Sequence, residues 1–119
     1  MQESIDIAKT AACAADAKKA TDIVAFDLAG LSDVNDAIVI CTGANNRLVD
    51  SVVDEVEEKV RAEHGISPIS IEGRNDCRWV LMDYGVVAVH VFSPEGRDYY
   101  RLEHLWGDAP AIELALLDD

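Results

Sequence analysis

Basic residues are scarce in this sequence of 119 residues: ten lysines and arginines stand against 23 aspartates and glutamates, giving a formal net charge of −13. Nucleic acids and anionic membranes are polyanions, so this charge disfavours direct binding of either one. The same charge suits a basic protein partner. High solubility alone would also explain it, and composition leaves both explanations open.

Cysteines are also few, and their spacing is uninformative. Cys13, Cys41 and Cys77 contain no Cys-x-x-Cys pair, so neither a disulfide framework nor a zinc site is indicated. Free thiols fit a reducing compartment. The N-terminus lacks the apolar core of a signal peptide, and no apolar run approaches the ~20 residues that span a bilayer. We therefore expect a cytoplasmic protein without membrane contact.

Aromatic residues are seven in all, and six of them lie between Arg78 and Trp106. This stretch predicts two strands, 79–84 and 86–92, joined by a turn at Asp83-Tyr84-Gly85. A loop at 93–96 and a short helix follow. Large aromatic side chains gathered in one place are typical of protein-binding surfaces. They are equally typical of a small core, so the pattern alone does not decide between the two.

The remainder of the chain predicts an α/β domain. The apolar run at 36–43 is unbroken, which indicates a strand buried on both faces. A long helix follows it, with Asn45 or Asn46 as N-cap and Gly65 just past its end. This strand, helix and a third strand near 68–71 form a βαβ pattern, which predicts neighbouring parallel strands. The other predicted elements are a helix at 3–19 and a strand at 22–28.

Residues that could carry chemistry are isolated in the sequence. His90 lies inside an apolar strand and is predicted to be a hydrogen-bonded structural histidine, Cys41 a buried thiol, and Asp27 a carboxylate at a strand end. A nucleotidyltransferase would need paired carboxylates on a strand to hold two metal ions, and no Asp-x-Asp or Asp-x-Glu occurs on a predicted strand. Taken alone, the residues indicate no active site and no metal or cofactor.

Several collinear motifs resemble the ribosomal silencing factor family, RsfS, also called Iojap-like. The resemblance covers roughly residues 3 to 107, and its several motifs make it more specific than any one of them. The matching stretches are Asp27-Leu-Ala-Gly30, Asp36-Ala-Ile-Val-Ile-Cys-Thr-Gly43, Ile71-Glu-Gly73, Trp79 to Gly85, Val89-His-Val-Phe92, and Arg97-Asp-Tyr-Tyr-Arg-Leu-Glu-His-Leu-Trp106.

The resemblance implies an α/β fold with a mixed, mostly parallel central sheet flanked by helices, similar to the nucleotidyltransferase fold without its catalytic carboxylates. It implies a protein that acts without chemistry and without a cofactor. Such proteins bind the fourteenth protein of the large ribosomal subunit, block joining of the small subunit and lower translation in starved or stationary cells. They often form homodimers. The alternative is a nucleotidyltransferase-like enzyme that acts on a nucleotide.

The family's contact surface maps onto the strand 79–84. Trp79, Leu81 and Asp83 alternate onto one strand face. The resemblance makes Trp79 the buried anchor, Asp83 the carboxylate that faces a lysine or arginine, and Tyr84 a residue of the rim.

Two features depart from the family pattern. Arg78 places a positive charge directly before the anchor, where an acidic or small residue is expected. The chain also continues past the usual end of the family. We therefore expect one domain at 1–107 and a tail at 108–119, the tail being either a loose helix or disordered.

Overall fold

A computed structural model describes residues 2–114 and shows a sheet with helices packed against it. Within that range five strands form one sheet in the order β1-β2-β5-β4-β3. The strands are β1 (Thr21–Asp27), β2 (Ala37–Thr42), β3 (Ser70–Glu72), β4 (Trp79–Asp83) and β5 (Val87–Phe92), and the helices are α1 (Gln2–Ala17), α2 (Asn46–His64), α3 (Pro94–Tyr100) and a 3₁₀ helix (Leu102–Trp106).

The prediction of a mixed sheet flanked by helices is confirmed, but the prediction that the sheet is mostly parallel is wrong. Only the β2–β5 pair is parallel among the described strands. The pairs β1–β2, β3–β4 and β4–β5 are antiparallel. The βαβ interpretation failed because β3 runs in the same direction as β2 but lies at the far edge, with β5 and β4 between them.

The main core lies between the sheet and the two long helices. The buried stripe of α2 consists of valines, which are weak helix formers, so the helix owes its stability mainly to packing. Asn45 caps it by accepting from the Leu48 N–H at 2.9 Å, and Gly65 ends it at φ 71°, as predicted. The buried face of α1 is built of alanines, which let this helix approach the sheet and α2 closely; these are Ala8, Ala11, Ala12 and Ala15.

A second, smaller core covers the opposite face of the sheet. Leu28, Ile38, Ile40, Ala88 and Phe92 are buried there, and side chains of the 3₁₀ helix pack against them. The central strands β2 and β5 are buried along their whole length, which for β2 confirms the prediction from the apolar run at 36–43. The two faces are therefore unequal: long helices cover one, and short segments cover the other.

The residues after the 3₁₀ helix are neither a helix nor detached within the described range. The Asp27 N–H donates to the Pro110 carbonyl at 2.9 Å, and the Ile112 N–H donates to the Ala25 carbonyl at 2.8 Å. Ala111 forms an antiparallel bridge with Phe26, and Ile112 is buried in the main core. The expectation of a loose helix or a disordered tail is thus wrong for 108–114. Residues 115–119 lie outside the described range, and the boundary at 107 stays a prediction.

Candidate protein-binding surface

The strand β4 presents its two faces to different surroundings. Val80 and Met82 are fully buried and belong to the main core. Trp79, Leu81 and Asp83 lie on the other face and are each half-buried. The predicted alternation is therefore confirmed as geometry: three of the four predicted contact residues share the sheet face that the long helices leave uncovered.

Trp79 is the centre of an aromatic cluster on this face. Its ring stacks on Phe92 with the centroids 5.3 Å apart and lies 4.7 Å from the ring of Tyr100. Tyr99 meets Tyr100 edge to face at 5.0 Å. Tyr99 is 72% exposed and Tyr100 is 43% exposed. Trp79 is thus neither a core residue nor a free surface residue, because one side packs on the sheet and the other adjoins exposed tyrosines.

A hydrogen bond orients the Trp79 indole. Its Nε1–H donates to Nδ1 of His90 at 3.0 Å. The indole can only donate, so His90 Nδ1 accepts and the imidazole proton resides on Nε2. Burial lowers the pKa of His90 from 6.5 to about 4, which keeps the imidazole neutral near pH 7. His90 is therefore the structural, hydrogen-bonded histidine that the sequence predicted.

Asp83 forms the turn that joins β4 to β5. Its Oδ1 accepts from the Gly85 N–H at 2.8 Å, and Gly85 adopts φ +87°, a conformation that favours glycine. The carboxylate remains half-buried at the sheet face. One side chain thus shapes the turn and also leaves a negative charge at the end of the surface.

The expectation that Tyr84 lies on the rim is wrong. Tyr84 is 6% exposed and its ring lies in the main core. Burial raises its pKa to about 12; Glu57 on α2 adds to this and Arg61 on α2 opposes it. Alternation along the strand in fact predicts this: Tyr84 follows Met82 by two positions and lies on the same inward face as Val80 and Met82. The Tyr84 N–H instead donates to the Val87 carbonyl at 2.8 Å, which closes the hairpin.

The structure adds two residues that the sequence reasoning did not assign to the surface. Tyr99 and Tyr100 belong to the aromatic stretch, but their place beside Trp79 depends on α3. This helix begins at Pro94, so the predicted loop at 93–96 is in fact its cap and first turn, with Ser93 Oγ accepting from the Gly96 N–H at 3.0 Å. In the sequence, the feature that could have pointed to these two residues was the pair of adjacent tyrosines on a short predicted helix.

Arg78, the departure noted in the sequence, lies over Tyr99. Its guanidinium carbon is 5.5 Å from the ring centroid, within the range of a cation–π contact. Its charge is thus engaged with the cluster while its side chain stays exposed. The positive residue therefore borders the surface without occupying the position of the anchor.

The described residues offer little for catalysis. In the range 2–114, no group of three or more His, Cys, Asp and Glu side chains could hold a metal ion. Cys41 is fully buried, and burial raises its pKa to about 12, although Arg97 opposes the rise. Its thiol is consequently protonated near pH 7 and is not a nucleophile. Asp27 ends β1 and accepts from the Ala29 N–H at 3.1 Å, as predicted for a strand-end carboxylate.

Membrane insertion by a helix finds no support in the described part of the chain. Among residues 2–114, none of the helices is both long and apolar enough to cross a bilayer.

Comparison with known proteins identifies the family. Residues 1–119 match the family RsfS, described as ribosomal silencing factor during starvation. The chain is 45% identical over 108 residues to "Ribosomal silencing factor RsfS" of Bacillus subtilis (strain 168), which covers 91% of each chain. Its fold matches a crystal structure of a protein from Chromobacterium violaceum with a TM-score of 0.80, at 37% identity over 86% of this chain and 84% of that one.

A second solved structure, of a protein from Bacillus halodurans, matches with a TM-score of 0.76 at 40% identity. It covers 96% of this chain and 100% of the other. Sequence and fold agree over nearly the whole length, and this chain belongs to the RsfS family of ribosomal silencing factors.

Proposed function

We propose that this protein binds the large ribosomal subunit through its fourteenth protein and thereby blocks joining of the small subunit. Translation would fall in starved or stationary cells as a result. The family membership supports a role on the ribosome. The obstruction is steric, so it requires no cofactor and no chemical step, and it takes place where ribosomes work, in the cytoplasm.

The observation that carries this proposal is an exposed aromatic cluster on the sheet face opposite the long helices. We call Trp79, Leu81, Asp83, Tyr99 and Tyr100 the recognition surface. Tryptophan and tyrosine are enriched among residues that dominate binding energy, since they bury a large area at a small cost in conformational entropy. Trp79 is held in place by Phe92 and His90, so little order has to be gained on binding.

Charge supports the same partner. The chain carries a net charge of −13, and ribosomal proteins that contact RNA are basic. Complementary charge chiefly speeds encounter and orients the partners. Asp83 places one of these charges at the end of the recognition surface, where it can face a lysine or an arginine.

Sedimentation with isolated ribosomal subunits tests the proposal. We expect the protein to pellet with large subunits and to reduce the yield of joined ribosomes when small subunits are added afterwards. Small subunits alone serve as the control. Equal pelleting with both subunits, together with an unchanged yield of joined ribosomes, would contradict the proposal.

The charge at Asp83 can be tested separately from its role in the turn. Asp83→Asn retains an oxygen that accepts from the Gly85 N–H but removes the charge, so stability should change little. We expect weaker binding to large subunits, with the greatest loss at low salt, where screening is weakest. Binding is measured by isotherms at several salt concentrations.

Glu58→Gln is the matched control, because Glu58 is exposed on α2 and its replacement changes the net charge equally. Equal losses in the two variants would show that only net charge matters and would remove Asp83 from the recognition surface.

A further inference from the structure

The tyrosines of the recognition surface owe their position to a short helix rather than to their own burial. The helix α3 has seven residues, too few to be stable by itself. Tyr99 touches only Tyr100 and the Arg78 guanidinium among the ring contacts of the described residues. Whatever fixes α3 on the sheet therefore fixes both tyrosines.

At its start, α3 is fixed by close backbone packing. Gly96 is buried, and a Cβ atom at this position would lie 2.2 Å from the Arg78 carbonyl oxygen. Only glycine lets the first turn come so near to the strand that carries Trp79. This contact holds the beginning of the helix but not its end, where the tyrosines lie.

Near its end, α3 is held by the ring of Tyr100, which packs against Trp79 and Phe92, and by the side chain of Arg97. Arg97 donates from Nη1 to Thr42 Oγ1 at 2.8 Å and from Nε to Glu103 Oε2 at 3.0 Å. Its side chain is 11% exposed, and Thr42 is buried at the end of the central strand β2. Arg97 thus ties α3 both to the end of β2 and to the 3₁₀ helix.

The charges of this network support its persistence near neutral pH. Burial raises the pKa of Glu103, but its own backbone N–H, Arg97 and His104 together lower it below the usual range. The carboxylate is therefore ionised. Its Oε1 is buried without a hydrogen-bond partner among the described residues, so the side-chain hydrogen bond that this carboxylate accepts there comes from Arg97.

We propose that Arg97, held by Thr42 and Glu103, is the positioning residue that sets Tyr99 and Tyr100 beside Trp79. Arg97 does not touch the partner in this scheme; it acts through the two tyrosines that follow it by two and three positions. This role rests on the proposed function, because it explains how two residues of the recognition surface are held in place for binding. The αL conformation of Arg101, with φ 49°, ends α3 directly after Tyr100, so Arg97 lies within the last turn.

A pair of substitutions at Thr42 tests this role with little change in volume. Thr42→Val removes the oxygen that accepts from Arg97, whereas Thr42→Ser retains it. We expect Thr42→Val to weaken the nuclear Overhauser effects between the Trp79 indole and the Tyr100 ring. Affinity for large subunits should fall by about tenfold, the effect of losing a hydrogen bond to a charged group. Thr42→Ser should match the original protein in both measurements.

Glu103→Gln provides a second route if Thr42→Val does not fold, because Glu103 is 30% exposed and lies outside the sheet. We expect the same two effects in a smaller degree. Unchanged Overhauser effects and affinity in a folded variant, with only the melting temperature reduced, would overturn the proposal, because Arg97 would then serve stability alone.

Failure of the proposed function is distinguishable from failure of this inference. If the original protein does not bind large subunits, the proposed function fails, while the Overhauser effects still report whether Arg97 positions the tyrosines. If the protein binds but Thr42→Val leaves the Trp79–Tyr100 contact intact, only the positioning role is lost.

Discussion

Trp79 illustrates how one residue can serve the fold and a partner together. Its indole packs on Phe92 and donates to the buried His90. Removing the indole therefore leaves a gap beside Phe92 and deprives His90 Nδ1 of its hydrogen-bond donor. An exposed side chain would cost little stability and a core side chain about 3–5 kcal/mol. The half-buried position of Trp79 predicts a value between these limits.

We expect Trp79→Ala to destabilise the fold by about 2 kcal/mol and to reduce partner affinity by ~2 kcal/mol or more. Trp79→Phe, which retains the ring and loses the N–H, should preserve more of both. Denaturant melts and a binding isotherm on the same variants provide the two numbers. An alanine variant that unfolds easily but, while folded, binds normally would show that Trp79 is not the anchor.

His90 predicts a specific dependence of stability on pH. Burial lowers the pKa of His90 in the folded protein from 6.5 to about 4. Between these values the unfolded chain takes up a proton that the folded protein does not, so stability falls as pH falls. The His90 contribution is complete above pH 6.5, and its loss, about 3 kcal/mol for this difference in pKa, is complete near pH 4.

His90→Gln isolates this contribution, since glutamine does not titrate but still has an oxygen that can accept from the Trp79 indole. Urea melts of both proteins between pH 7 and pH 4 measure it. The difference in unfolding free energy between the two should change across this window and stay constant above it. Parallel curves over the whole range would show that His90 does not titrate as its burial requires.

At the scale of elements, the least expected feature is the pairing of residues 110–112 with β1. This pairing covers part of an edge strand, and an unpaired edge is a site where other chains can add. It also brings the buried Ile112 into the main core. The segment after the 3₁₀ helix is therefore part of the packed domain as far as residue 114 is described.

We expect Ile112→Ala to destabilise the protein by about 2 kcal/mol or more, the usual range for removing a buried isoleucine side chain. Glu113→Ala is the control, because Glu113 lies next to Ile112 in the chain but is exposed. This substitution should change the free energy of unfolding by less than about 0.5 kcal/mol. Urea midpoints of both variants decide the matter. Equal midpoints would mean that the segment contributes nothing to the core.

Elements with local signals were predicted well. The helix α2 follows from its apolar stripe and its two caps, and the β4–β5 hairpin follows from two apolar runs around a turn. Both depend on residues close together in the sequence. The position of β3 depends instead on which strand it meets across the sheet, and neighbouring strands cannot be read from the order of elements alone.

For the whole molecule, the family resemblance predicts a homodimer that competes with partner binding. A surface used between two copies cannot also contact the ribosome, so the dimer has to open. We expect light scattering to show a dimer in solution and sedimentation to give one protomer per large subunit. A protein that stays monomeric at the highest attainable concentration would contradict the predicted dimer. Two protomers bound per large subunit would contradict the prediction that the dimer opens.

The sequence by itself determined the family, the class of fold, the burial of β2, the structural role of His90 and the face shared by Trp79, Leu81 and Asp83. These follow from composition, from periodicity and from motifs, all of which act over short distances along the chain. Six of the seven aromatic residues lie in one stretch of the sequence, but the sequence does not indicate whether they form a core or a surface.

Only the tertiary structure decided how that stretch is divided. It placed Tyr84 in the main core with Val80 and Met82, because the long helices cover that face of the sheet and leave the face of Trp79 open. It left Tyr99 and Tyr100 outside, because Arg97 fastens α3 to Thr42, 55 residues earlier in the chain. Contacts across such separations depend on the packing of the whole sheet, and the free energy of that packing leaves no local pattern in the sequence.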